Sequence, residues 1–170
     1  IDVSQKPRNT SATLSIEGDF THYQNLIGIK PGVNVSTWDS PFDYYNQAVL
    51  YVPEGLPAPK EDGFTKALFD EVLPVLEASK GRAFVLFTSF RIMQQFDEFL
   101  EECDFNVLMQ GETNKRELLK SFVENENSVL LGTMSFWEGV DVPGDSLSCV
   151  IIDKLPFESP FDPVIKARLK

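Results

Sequence analysis

The segment Leu131-Gly-Thr-Met-Ser-Phe-Trp-Glu-Gly-Val-Asp-Val-Pro-Gly144 leaves an apolar run and gathers hydroxyls, carboxylates and glycines in one short stretch. Thr133 and Ser135 offer hydroxyls, Glu138 and Asp141 offer carboxylates, and Gly139 lets backbone pass close to whatever the carboxylates address. Polar, glycine-bearing loops at the ends of buried strands are where α/β proteins place their chemistry. This donor set suits contact with a polyanion and its counter-ion. The same composition would also arise if Phe136 and Trp137 simply plugged a core while the acids stayed solvated around them.

Other candidate groups are sparser. Thr88-Ser89 follows an apolar run and can hold a phosphate through its hydroxyls and the free N–H groups of a helix beginning near Phe90, or can equally serve as a helix cap. The small hydroxyl run Thr10-Ser11-Ala12-Thr13-Leu14 reads, by itself, as a turn or a cap. His22 is the only histidine and has no second nitrogen ligand, so it is assigned no role and no metal site is expected. Cys103 and Cys149 are too few for a disulfide framework or for a four-cysteine zinc or iron–sulfur site, and both read as reduced thiols. The acidic run from Asp97 to Asp104 is most simply a solvated helix face.

Groups of this kind need a scaffold. At 170 residues with 42% apolar content and 14 phenylalanines, the chain can bury one sizeable core. No run reaches the roughly 18 to 20 apolar residues that cross a bilayer, and the first residues show no signal-peptide pattern. A cytoplasmic protein with no membrane partner is expected. The formal charge of −11 argues against tight independent nucleic-acid binding, because that affinity comes mainly from Lys and Arg releasing phosphate counter-ions. Any such contact is local or shared, and the acidity can serve solubility or a basic partner.

From Arg82 onward, strand-length apolar runs alternate with helical periodicity. Strands are expected at Ala83 to Phe87, Asn106 to Met109, Ser128 to Leu131 and Leu147 to Ile152, the last suited to burial on both faces. Helices are expected over Phe90 to Glu102 and from a cap at Thr113 or Asn114, with Leu118, Leu119, Phe122 and Val123 on one face. Alternation predicts a parallel sheet covered on both sides. Thr88-Ser89, Gln110-Gly111, Gly132-Thr133 and Asp153-Lys154 then converge on the edge where open α/β sheets bind ligands. Earlier in the chain, Gln47 to Val52 reads as a strand, with another near Val33 to Ser36. Gly63 to Ser79 reads as a helix kinked or split at Pro74.

In order along the chain, these segments resemble the motifs of the XPD-like superfamily 2 DNA helicases, in the DinG/YoaA branch. Thr10 to Leu14 is similar to motif III, Ser40-Pro41-Phe42-Asp43-Tyr44 to the lead into the second motor domain, Val85 to Phe90 to motif IV, and Leu131 to Gly144 to motif V. Val150 to Phe157, with Asp162-Pro163 and Lys166-Ala-Arg168, is similar to the stretch beyond motif V in YoaA-like members. The resemblance implies a RecA-like parallel sheet with helices on both faces, the second lobe of a P-loop NTPase-type motor. It divides the chain into residues 1–40, a remnant of the first lobe and linker, and residues 41–170, the second lobe.

The resemblance further implies ATP-dependent travel along single-stranded DNA, 5′ to 3′, in repair or replication. Thr88, Ser89, Thr133 and Ser135 would touch strand phosphates. Glu138, Gly139 and Asp141 would face the nucleotide cleft, and Ser11 and Thr13 would couple the two sites. The implied cofactors are ATP and Mg²⁺, with no metal held by this stretch. The implied partners are single-stranded DNA and the first RecA-like lobe. The 170 residues hold no Gly-x-x-x-x-Gly-Lys-[Ser/Thr] loop and no Gln-x-x-Gly-Arg-x-x-Arg element, so a fragment inactive by itself is expected. Gln5 to Asn9 stands where motif III usually follows an apolar strand, and missing residues are expected there. The rival reading is a non-catalytic protein-interaction module with a helicase-derived fold.

Overall fold

The computed structural model describes residues 9–11, 14–29 and 32–156, which fall into two compact units, Ile1–Tyr51 and Val52–Lys170. In the first unit, a short helix α1 (Thr21–Ile27) begins after Asp19, whose carboxylate accepts the Thr21 N–H at 2.8 Å. Hydrogen bonds from the Thr21 hydroxyl and from its N–H hold the Asp19 carboxyl below its ordinary value of 3.8. A second helical turn, α2 (Tyr44–Gln47), is capped by Asp43, which accepts the Asn46 N–H.

Neither expected strand of this region forms. Residues 33–36 carry no strand, and beyond α2 the run 48–52 is irregular. Val49 and Leu50 are 94% and 90% exposed. Their β-branched and apolar character favours an extended chain, but a strand exists only through ladder pairing with another strand, and no strand pairing is formed by this run.

The second unit is an α/β sandwich of RecA-like type. Helix α3 (Phe64–Ser79) precedes strand β1 (Ala83–Leu86), helix α4 (Phe90–Leu100), strand β2 (Asn106–Met109), helix α5 (Lys115–Glu124), strand β3 (Ser128–Gly132) and strand β4 (Cys149–Ile152). The four strands are all parallel in the order β2-β3-β1-β4. Helix α3 is not split: it runs through Pro74, which sits on the exposed face, so the Asp70 carbonyl left without a donor is on the water side. Left-handed φ values at Lys80, Gly81 and Arg82 turn the chain from α3 into β1. A β-carbon on Gly81 would stand 2.6 Å from the Asn127 carbonyl carbon, so only glycine fits that turn.

Alternation along the strands builds two cores. Ala83, Val85 and Phe87 face one way with Val129 and Leu131, under Leu68, Phe69, Val72 and Leu76 of α3 and Ile92, Met93 and Phe96 of α4. Phe84, Leu86 and Leu130 face the other way, under Leu118 and Phe122 of α5 and Phe136. Helices therefore cover both faces, and the inner strands β1 and β3 are buried throughout. Strand β4 departs from expectation: it begins at Cys149, lies at the edge of the sheet formed by the described residues, and alternates, with Val150 and Ile152 exposed. Val123 also turns out to face solvent, because its position on α5 lies beyond the stripe marked by Leu118 and Phe122.

Candidate functional site

The carboxyl ends of the parallel strands share one edge, and two side-chain braces organise it. At the end of β1, Thr88 gives its N–H to one Asp153 carboxylate oxygen at 3.1 Å and its hydroxyl to the other at 3.3 Å. At the end of β3, Thr133 gives its N–H and its hydroxyl to Gln110 Oε1, at 2.7 and 2.9 Å. The braces thus tie the end of β1 to that of β4 and the end of β3 to that of β2, and neither of them spans from β1 to β3. Burial raises the Asp153 carboxyl above its ordinary value, and the N–H of Lys154, the charge of Lys154 and the bonds from Thr88 only partly oppose it.

The unbraced position is also where the chain departs in opposite directions. The segment leaving β1 enters α4 on the α3 face. The segment leaving β3 crosses the α5 face, where Phe136, Trp137, Val140, Val142 and Leu147 pack. Adjacent parallel strands whose connections leave on opposite faces open a crevice between them, and in open α/β sheets ligands bind there. Thr88 and Ser89 stand on one lip; Thr133 and Ser135 stand on the other.

The four hydroxyls are not equivalent. Both donors of Thr88 and both donors of Thr133 are committed to Asp153 and Gln110, and Thr133 is buried. Ser89 occupies the N-cap position of α4 with extended backbone but makes no side-chain capping bond. Ser135 is exposed within a 3₁₀ turn, Met134–Phe136. The threonine donors are thus spent in the two braces, whereas the hydroxyls of the two serines bond neither Asp153 nor Gln110.

The loop beyond β3 combines the two alternatives its composition allowed. Phe136 is 3% exposed and belongs to the core, and Trp137 packs against it. Glu138 and Asp141 stay exposed on either side of Gly139, which takes a left-handed φ of 64° with open space where a β-carbon would project. The buried indole N–H of Trp137 meets no acceptor among the described residues, which costs roughly 1–3 kcal/mol.

Sequence reasoning missed Lys115. Its ammonium donates to the Ser135 carbonyl at 2.5 Å and the Glu138 carbonyl at 3.2 Å, and lies 5.1 Å from the centroid of the Phe136 ring. No local pattern marks a lysine that reaches across twenty residues. Gln110 and Asp153 were placed at the edge by topology, but their acceptor roles depend on strand register.

Ser11 belongs to the first unit, and Thr13 falls outside the described residues, as do Asp162, Lys166 and Arg168. Among the described residues no three His, Cys, Asp or Glu side chains come together as a cation site, and no helix is long and apolar enough to cross a membrane. A hollow of about 1130 Å³ lies at the opposite edge of the sheet, lined by Arg82, Cys103, Asn127 and Asp145 among others. It faces the amino ends of the strands, away from the converging loops.

Residues 72–170 match the family described as the helicase C-terminal domain. The chain is 47% identical over 162 residues to the ATP-dependent DNA helicase YoaA of Haemophilus influenzae, covering 95% of this chain and 25% of that protein. It is 45% identical over 172 residues to the ATP-dependent DNA helicase YoaA of Escherichia coli, covering 99% of this chain and 27% of the relative. It is 38% identical over 166 residues to the ATP-dependent helicase DinG of Mycobacterium tuberculosis, covering 94% and 24%. The chain thus spans about a quarter of the length of these curated relatives.

Proposed function

Because the chain belongs to the helicase C-terminal domain family, in its DinG/YoaA branch, we propose that it supplies the second motor lobe of an ATP-dependent DNA helicase. Residues 41–170 form the lobe, and residues 1–40 lead into it from the first. What supports this reading is the junction of β1 and β3, where the connections leave on opposite faces with hydroxyls on both sides and an acidic loop beyond one of them.

Ser89 and Ser135 meet phosphates of single-stranded DNA, and Thr88 and Thr133 fix the strand ends that present them. Glu138, Gly139 and Asp141 face the nucleotide on the first lobe, and Ser11 with Thr13 couples the two sites. Bound ATP with Mg²⁺ supplies the free energy for movement. This lobe adds binding and orientation rather than a nucleophile, as phosphoryl transfer requires. With a charge of −11, the lobe grips DNA locally and shares the strand with the rest of the protein. The motor works in the cytoplasm, in repair or replication, moving 5′ to 3′.

Strand displacement by the whole protein, on duplexes bearing either a 5′ or a 3′ single-stranded overhang, tests this. ATP-dependent displacement from the 5′ overhang is expected. Displacement from the 3′ overhang alone reverses the direction, and displacement from neither leaves an interaction module of helicase descent.

A further inference from the structure

We propose that Lys115 is a positioning residue that fixes the motor loop at the joint between its DNA-facing and nucleotide-facing halves, a role that rests on the motor-lobe reading above. Its two acceptors bracket that joint. The carbonyl of Ser135 closes the half carrying the hydroxyls, and the carbonyl of Glu138 opens the half carrying Gly139 and Asp141. Between them lies Phe136, whose ring faces the ammonium and whose burial anchors the turn in the core.

Helix stability does not explain a lysine here. Lys115 and Arg116 open α5, where the positive end of the helix dipole disfavours cations. The cap at Asn114 and the acid at Glu117 serve the helix instead: Asn114 accepts the Glu117 N–H at 3.0 Å. Nor does Lys115 answer a carboxylate, since the ion pairs among the described residues are Lys66–Asp70 and Lys120–Glu124. Its charge is directed at two loop carbonyls. An ammonium with three donors can bind both at once, so a displacement of one half of the loop is felt by the other.

The test uses the whole protein with Lys115→Met and Lys115→Arg. Amide hydrogen exchange over residues 133–141 reads the loop directly, and DNA-stimulated ATP turnover reads its use. For K115M, exchange is expected to quicken about tenfold, and kcat to fall about fivefold while KM for ATP moves less than about twofold. K115R, which keeps a charged donor for both carbonyls, is expected to recover most of both. Unchanged exchange in K115M overturns the proposal. So does weaker DNA binding with a shallower salt dependence and undisturbed exchange, which makes Lys115 a phosphate contact. Faster exchange with undiminished turnover leaves Lys115 a structural contact only and overturns its positioning role, whereas an unaltered protein without DNA-stimulated turnover overturns the motor reading beneath it.

Discussion

The ring of Phe136 lies against Gly132 so closely that a β-carbon on Gly132 would stand 3.0 Å from Cδ2 and Cγ of that ring. This contact seats the loop on the end of β3. Gly132→Ala gains about 0.4–1 kcal/mol by restricting the unfolded chain. It also forces a methyl against a ring that is itself buried in the second core, where overpacking typically costs about 1–3 kcal/mol. Overpacking wins, and a lower midpoint in chemical denaturation is expected. An unchanged midpoint would mean that Phe136 yields without cost.

Gln110→Ala removes the acceptor for both donors of Thr133 while Thr133 stays buried. Two stranded donors cost more than one lost bond, so a loss of about 1–3 kcal/mol is expected. Adding Thr133→Val to the same background removes the orphaned hydroxyl and is expected to recover part of it. A double-mutant cycle reads the coupling, and strictly additive losses would dissolve the brace.

The Asp153 brace carries a pH signature. Burial raises its folded-state carboxyl above the ordinary 3.8, so the folded chain holds the proton more tightly than the unfolded one. Its contribution to stability is therefore full below 3.8 and is lost as pH rises through the raised value. Asp153→Asn keeps an acceptor for the Thr88 N–H and abolishes the titration. Unfolding free energies compared between the two proteins at successive pH values should show the variant gaining on the native chain as pH rises above 3.8. A difference independent of pH would contradict the raised carboxyl.

Much of the sheet was legible because burial left its period in the sequence. Ala83, Val85 and Phe87 belong to one core and Phe84 and Leu86 to the other, and an uninterrupted apolar run is how a doubly covered strand reads. The same logic failed at both margins. Val150 and Ile152 look as buried as Phe84 from sequence, yet among the described residues β4 has a neighbour on one side only. Val49 and Leu50 have strand character and no strand, since pairing is a property of two segments rather than one. At the site, topology alone brought Thr88, Gln110, Thr133 and Asp153 to one edge. Which threonine meets which acceptor was set by register, across 23 residues in one case and 65 in the other.

Without a phosphate-cradling glycine loop in its 170 residues, this chain alone is expected to hydrolyse no ATP, with or without DNA. A steady-state assay on the purified chain checks this. DNA-stimulated hydrolysis that co-elutes with the chain would relocate the nucleotide site into this lobe.

Within the whole protein, Asp141 and Ser135 should fail differently. Asp141 is exposed beyond Gly139 on the far half of the loop, whereas Ser135 stands on the lip of the crevice. If the first faces nucleotide and the second faces DNA, Asp141→Ala lowers DNA-stimulated turnover far more than it loosens DNA. Ser135→Ala does the reverse, losing roughly the 0.5–1.5 kcal/mol of one hydrogen bond in DNA affinity. Filter binding and steady-state turnover on the same preparations separate the two. Unchanged turnover in D141A removes Asp141 from the nucleotide cleft. Equal losses of binding and turnover in both variants would mean that the loop moves as one rigid piece, and that the division at the Lys115 carbonyl contacts has no functional counterpart.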